Sequence, residues 1–505
     1  MIWTFDMEEK LKQYFDGMIV KKSSVQSVFS ALSLPAFIRD WFIKRYSDKN
    51  GDISVDFVVE KIKDIVPRKQ EWNAILDSIV SGETVKFMAK INISFEIKSG
   101  RVMFAMPDFG VDYSQTYISQ TVWDSCKKSL IHSDGDTWGI VELGYEEVPI
   151  SPKKSEGRIV LKSFKDFLPY TIDKEYFRKA RKYFTLDEWI DLLLMAIDYN
   201  PQGYASQQEK ITMLTRLLPF VEKRLNLIEL APKGTGKSYV FSQISKRGWL
   251  SSGGVMTRAK MFYDMNKKQE GLVSNYDYVA LDEVGTIRFP DEAEMQGAMK
   301  GYLESGSYTV GIKAGSGDAG VILLGNIKSE MMNVNVNMFE TLPSVFGDSA
   351  LIDRFHGFIE GWKIPRMNEN MKVNGWALNT EYFAEIMHAF REDIVSKKVV
   401  DDMLIVPQDS DTRDTTAVKR IMTAYVKLLF PHWQKADDVD VELMQKYCLE
   451  PAMHMRGIIK KQLCIMDSEY RKKPMSQYRL KGAHTVDDGG NGGDSADRIA
   501  TAIAE

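Results

Sequence analysis

Cysteine is almost missing from this chain of 505 residues: Cys126, Cys448 and Cys464 are the only three, with no C-x-x-C spacing and no histidine pair nearby. That scarcity excludes a disulfide scaffold, argues against a structural zinc site and points to a reducing compartment. Long apolar runs are missing too: no stretch reaches the roughly 18 uninterrupted apolar residues that a membrane-spanning helix needs. The start, Met1-Ile2-Trp3-Thr4-Phe5-Asp6, has no basic segment leading into an apolar one and does not read as a secretory signal. Neither sign of charge dominates. Lys plus Arg number 66 and Asp plus Glu 70, for a net charge of −4, which excludes a polyanion-binding surface over the whole molecule but not a local one. A soluble cytoplasmic protein without membrane contact is expected, with about three domains at roughly 100–200 residues each.

What is present falls into blocks. Residues 1–80 carry apolar clusters such as Phe37-Ile38, Trp41-Phe42-Ile43 and Phe57-Val58-Val59 at helical spacing. From Thr84 the period becomes two: Val85, Phe87, Ala89, Ile91, Ile93, Phe95 and Ile97 alternate with mostly polar neighbours before a turn at Ser99-Gly100. β-like sequence continues to about Val148, so an antiparallel sheet or small barrel is expected. Residues 151–182 then hold ten Lys/Arg against four acids, with five aromatics among them. Such a stretch can track phosphates while its rings stack on bases, or it can be a solvated connector with a few buried rings, the plainer reading. Thr185-Leu186-Asp187-Glu188 is a capping box that opens an apolar helix, and a second apolar helix is expected at about 211–225. Residues 471–481 carry five basic residues and no acid, followed by a Gly- and Asp-rich tail with the composition of a disordered segment.

The chemistry sits in the middle. The short apolar strand 226–230 runs into Ala231-Pro232-Lys233-Gly234-Thr235-Gly236-Lys237-Ser238, a P-loop that departs from G-x-x-x-x-G-K-[ST] only by Ala231 at the first glycine. Residues 232–238 are the predicted ATP phosphate cradle. Gly234 and Gly236 let the backbone wrap, Lys237 reaches the β- and γ-phosphates and Ser238 offers its hydroxyl to Mg²⁺. About 45 residues on, Tyr278-Val279-Ala280-Leu281-Asp282-Glu283 is an apolar strand ending in two acids: Asp282 is placed for the Mg²⁺ shell and Glu283 for polarising the attacking water. A third strand, 321–324, ends in Gly325-Asn326, where Asn326 is the candidate that reads the γ-phosphate, the sensor 1 role. Arg354, ahead of a fifth strand at 355–362, is the candidate that reaches into a neighbouring subunit's site, since charge on a transferring phosphoryl group is stabilised by such an arginine. Arg413, at the head of a helix expected at 415–430, is the candidate lid arginine (sensor 2), with Arg420 as its substitute.

With these residues in view, the chain resembles BrxL, the Lon-like AAA+ ATPase family of BREX anti-phage defence systems. The resemblance runs from about residue 5 to 470. It rests on Leu11-Lys12-Gln13-Tyr14-Phe15, the stretch 183–194, the strand and P-loop at 226–238, Ser252-Gly253-Gly254, Leu281-Asp282-Glu283-Val284, Gly325-Asn326-Ile327 and Asp353-Arg354-Phe355-His356-Gly357. It implies a homo-hexamer, as a single or a double ring, that encircles double-stranded DNA. Its core would be similar to that of the MCM helicases, and other defence-system proteins would be its partners. It also makes Val310-Gly311-Ile312-Lys313-Ala314-Gly315 similar to the pore hairpin of those helicases, with Lys313 as the contact to the nucleic-acid backbone. Longer members carry a C-terminal Lon-type domain. The roughly 35 residues after the lid are too few for one, so an ATPase that is not a protease is expected.

The fold class expected is therefore α/β. An N-terminal α+β domain (1–150) is followed by a basic connector and helix (151–200), an AAA+, RecA-like P-loop core (201–365), a helical lid (366–470) and a flexible tail (471–505). Two other functions compete with a DNA motor. A protein unfoldase would need an aromatic pore loop, and the corresponding stretch, 267–273, has no aromatic. A slow, nucleotide-gated scaffold for partner proteins would differ in turnover alone.

Overall fold

The switch of period at Thr84 is a switch of architecture. The computed structural model describes residues 5–22, 34–96, 99–131, 137–151, 154–166, 170–266, 268–472 and 474–483. Lys267, Lys473, residues 152–153 and 167–169 of the basic stretch, and the tail from residue 484 on lie outside the described residues. The helices Phe5–Tyr14, Ala36–Tyr46, Val55–Ile65 and Trp72–Val80 carry the helically spaced clusters. Strand β1 (Ile19–Lys22) pairs antiparallel with the far later strand Gly375–Leu378, which ties the chain's beginning to its second half.

The alternating region closes on itself. Strands β2 (Val85–Glu96), β3 (Arg101–Ala105), β4 (Thr116–Ile118), β5 (Thr137–Ser151) and β6 (Lys154–Asp166) form a closed barrel in the order β2-β3-β4-β6-β5. Only the β4–β6 pair is parallel, and helix Gln120–Ile131 lies between β4 and β5 in the chain. This is the five-strand connectivity of an OB-fold. Phe87, Ala89 and Ile91 fill the barrel, whereas Met88, on the opposite face of β2, packs with Phe37 and Ile38 of the N-terminal helices. A side chain at Gly139 would meet the Phe164 ring at 2.3 Å, so only glycine lets β5 and β6 pair there. The expected boundary at residue 150 thus falls inside the barrel, because β6 closes it.

Two arginines of the basic stretch are structural, whereas Lys162, Lys165, Lys179 and Lys182 stay exposed. Asp173 caps helix Lys174–Arg181 through the amides of Glu175 and Tyr176. Arg178 and Arg181 are buried: Arg178 donates to the Pro431 carbonyl and to Asp393, and Arg181 to the carbonyls of Leu429 and Phe184. The capping box at Thr185 forms, with Glu188 accepting from the Thr185 amide at 2.8 Å, and it opens helix Leu186–Ala196. Trp189 on that helix is fully buried against Phe15 and Phe177, and its indole N–H donates to Leu428. Trp189→Ala is expected to cost about 3–5 kcal/mol of stability, read as an earlier midpoint in chemical denaturation. The helix expected at 211–225 is instead Gln207–Leu214 and Leu218–Val221 joined by a tight turn. Pro219, which lacks an N–H, is confined to a first turn.

The core is a parallel sheet of β7 (Leu227–Ala231), β8 (Gly248–Ser252), β11 (Tyr278–Asp282), β14 (Gly320–Asn326) and β15 (Gly357–Glu360), ordered β15-β7-β14-β11-β8. Between β8 and β11 lies the hairpin β9 (Tyr263–Asp264) and β10 (Gln269–Glu270). Between helix Glu292–Ser305 and β14 lies a second, β12 (Ser307–Val310) and β13 (Lys313–Ser316). Helices Thr380–Arg391, Val395–Met403, Thr412–Leu429 and Glu450–Met466 follow, in the region where a helical lid is expected. The segment after it is not loose throughout. Arg479–Leu480 pairs with Leu404–Ile405, and Tyr478 and Leu480 are buried.

Candidate functional site

In a parallel sheet the strands point the same way, so the loops leaving their C-terminal ends share one edge, where ligands of such sheets bind. β7 ends at Ala231 and the P-loop residues 232–236 lead into helix Lys237–Gln243. Ala231 stands where the motif has its first glycine because that position is still strand, buried and paired with Asn326. The two later glycines are required. Gly234 and Gly236 have φ of +84° and +78°, and a side chain at Gly236 would also collide with the Tyr199 hydroxyl at 2.2 Å. No side chain caps helix Lys237–Gln243.

The predicted residues of three strands meet here. Lys237 Nζ donates to Asn326 Oδ1 at 3.1 Å and to the Pro232 carbonyl at 3.4 Å. Burial lowers the Lys237 pKa, against the pull of the Glu229 and Asp282 carboxylates. Ser238 Oγ donates to Asp282 Oδ2 at 2.5 Å, and Asp282 Oδ1 accepts the Glu283 amide at 2.8 Å. Glu283 has φ of +49°, the left-handed region that non-glycine residues seldom take, and this bend brings its carboxylate to the surface beside Asp282. A serine hydroxyl and a buried aspartate facing each other form an oxygen-only donor pair, which fits Mg²⁺. Lys233 and Gly234 are exposed at the mouth, whereas Thr235 is buried beneath it.

The two candidate arginines are elsewhere. Arg354 precedes β15, so it lies at the opposite end of the sheet from the P-loop. Its Nε stands 2.9 Å from Glu304 Oε2 without the alignment of a hydrogen bond. Arg413, inside the first turn of helix Thr412–Leu429, joins the same Glu304 oxygen at 3.1 Å and Asp353 Oδ2 at 3.0 Å. Behind them Arg456 is fully buried between Asp353 (2.6 Å) and Asp414 (2.7 Å). Burial alone would raise the Asp353 carboxyl, but Arg456 and Arg413 outweigh it and hold it below the usual range. Glu304, Asp353, Arg354, Arg413 and Arg456 line a cavity of about 310 Å³. Arg420 does not line this cavity: its half-buried guanidinium donates to the carbonyls of Lys223 and Arg224.

Lys313 opens β13, and its ammonium lies 3.5 Å from Glu270 and 5.0 Å over the Tyr263 ring, both on the neighbouring hairpin. The tip is Ile312, 96% exposed, with Met265 of the other hairpin close to Gly311. Sequence reading missed Arg216 and Tyr199, which touch the P-loop from behind. The signal was an acid, Glu229, inside a strand buried on both faces, where an unpaired charge is too costly to persist.

Sheet order, P-loop and the strand-end acids define a P-loop ATPase domain of mixed α/β class. Comparison with known proteins refines this. Residues 159–476 match the family described as Lon-like protease BrxL-like, ATPase domain, and residues 13–145 match BREX system Lon protease-like protein BrxL N-terminal. The chain belongs to the BrxL family of BREX systems. The curated Lon-like protease BrxL of Escherichia coli O9:H4 (strain HS) is 31% identical over 468 residues, covering 91% of this chain and 65% of that protein. The protein of the same name from Bacillus cereus (strain H3081.97) is 28% identical over 469 residues, 90% of this chain and 67% of its own length. The chain therefore spans about two thirds of the length of these relatives. Among the described residues no helix is long and apolar enough to cross a membrane.

Proposed function

We propose that this chain is an AAA+ ATPase subunit that hydrolyses ATP at the interface between neighbours in a hexameric ring, and that the ring acts on double-stranded DNA in cytoplasmic phage defence. The observation that carries this reading is the separation of two half-sites. Lys237, Ser238, Asp282, Glu283 and Asn326 gather at one end of the sheet, and Arg354 and Arg413 gather at the other, so a second copy is needed to bring arginines to a phosphate. Lys237 balances phosphate charge, Glu283 orients and polarises water, and Asn326 reports the γ-phosphate to β14. Ser238 and Asp282 would hold Mg²⁺, which when bound supplies positive charge to the phosphates. Arg354 and Arg413 exchange Glu304 for the neighbour's nucleotide.

The OB-fold barrel and the Lys313 hairpin support the choice of DNA, since such barrels bind oligonucleotides and a lysine beside a projecting tip can reach phosphates. The test is duplex DNA binding by ATP-loaded Glu283→Gln protein across a salt series. A log–log slope of about −0.9 per phosphate contact is expected, and absent or salt-independent binding would overturn the DNA reading. One observation favours the unfoldase instead: Ile312 and Met265 offer an exposed apolar pair that could grip polypeptide. ATP-dependent unfolding of a tagged substrate would establish that alternative.

A further inference from the structure

Arg216 is fully buried, and so is the carboxylate that pairs with it, Glu229 in the middle of β7. The guanidinium has five N–H donors, and each finds an acceptor. Nε and Nη2 take the two Glu229 oxygens at 3.0 and 2.5 Å. Nη2 also reaches Thr235 Oγ1 at 3.2 Å, and Nη1 reaches the Thr235 carbonyl at 2.7 Å and Met213 Sδ at 3.2 Å. A buried ion pair of this kind adds little net stability against an apolar pair of the same size. Its use has to be sought in what it holds, and it holds the P-loop.

In a trans peptide the carbonyl and the next residue's N–H point in opposite directions. The Thr235 carbonyl, drawn back onto Arg216, therefore turns the Gly236 N–H to the front of the loop. The flanking peptides are also held by hydrogen bonds. The Gly234 carbonyl accepts from the Met367 amide at 2.8 Å, and the Gly236 carbonyl accepts from the Tyr199 hydroxyl at 3.4 Å. Three consecutive amides, of Thr235, Gly236 and Lys237, are thereby presented where phosphate oxygens bind such a loop.

We infer that Arg216, held by Glu229, is a positioning residue for nucleotide: it sets phosphate affinity by fixing the Thr235–Gly236 peptide. The inference rests on the ATPase reading of this loop. Lysine cannot replace it, because one ammonium does not span a carboxylate and a carbonyl in a planar fork.

The test uses the full chain and two variants. Arg216→Met with Glu229→Leu removes both charges and leaves neither orphaned; Arg216→Lys keeps the charge on Glu229 but loses the fork. Fluorescent ADP and unlabelled ATP are expected to bind about tenfold more weakly to each folded variant, a difference of about 1.4 kcal/mol. Adenosine, which has no phosphate, should bind as it does to the parent chain. A purely structural role would weaken adenosine and ADP alike. Parent-like ADP affinity in the variants, or equal losses for adenosine and ADP, would overturn the inference while leaving the ATPase reading intact. Failure of the parent chain itself to bind ADP would remove the ATPase reading first. Should the double variant not fold, Arg216→Lys decides alone.

Discussion

Glu283→Gln is expected to lower ATP turnover by about 10²–10⁴-fold, the range that a positioned general base contributes, while ADP and ATP still bind. The substitution keeps size and hydrogen-bonding reach and removes only the charge proposed to polarise water. It should be silent for binding because the groups assigned to phosphate and metal, Lys237, Ser238 and Asp282, hydrogen-bond to one another or to Asn326 and Pro232, not to the Glu283 carboxylate. The left-handed bend at Glu283 is held in place. Asp282 Oδ1 holds the Glu283 amide and the Glu283 carbonyl accepts from Thr286, so the backbone that aims the carboxylate is set from both sides. Paired measurement of kcat and nucleotide Kd checks this. A variant that hydrolyses ATP at the parent rate would exclude Glu283 as the base, and one that loses nucleotide would recast it as a binding residue.

The second large effect concerns two chains at once. Arg354→Ala is expected to reduce kcat by about 10³–10⁵-fold, as loss of an arginine finger does, with little change in nucleotide affinity, because such a finger acts on charge that develops in the transition state. Lys237→Ala should be inactive for the complementary reason. Mixed one to one, the two inactive proteins should regain turnover. In a head-to-tail ring, about a quarter of the interfaces would join an intact P-loop to an intact Arg354. Arg413→Ala belongs to the same complementation group, since Glu304 and the Asp353 cavity hold the two guanidiniums together. Restored activity read as a function of mixing ratio tests the shared site directly. No recovery at any ratio, with rings intact, would place Arg354 outside the chemistry.

Much of this site was legible along the chain. A P-loop, a Walker B strand and a strand ending in Asn326 are each strand-plus-loop units, in which local backbone geometry aims the side chain, and a parallel sheet then needs only strand order to bring the ends together. The capping box at Thr185 and Glu188 was legible for the same reason: its partners are three residues apart. In the basic stretch composition does not record which charges are buried. Arg178 and Arg181 look like a phosphate track and are core bolts to carbonyls of a segment some 250 residues away.

Sequence alone therefore determined the class of the core, the family of the chain and the residues that gather at the P-loop end of the sheet, since each depends on short spacing and on period. Tertiary structure decided which distant groups share a carboxylate. It placed Arg354 and Arg413 on Glu304, Lys313 on Glu270 and Arg216 between Glu229 and Thr235, and it closed the barrel with β6. The physical reason is that a charge's partner is chosen by burial and by the packing of whole elements, whose separation along the chain leaves no periodic trace.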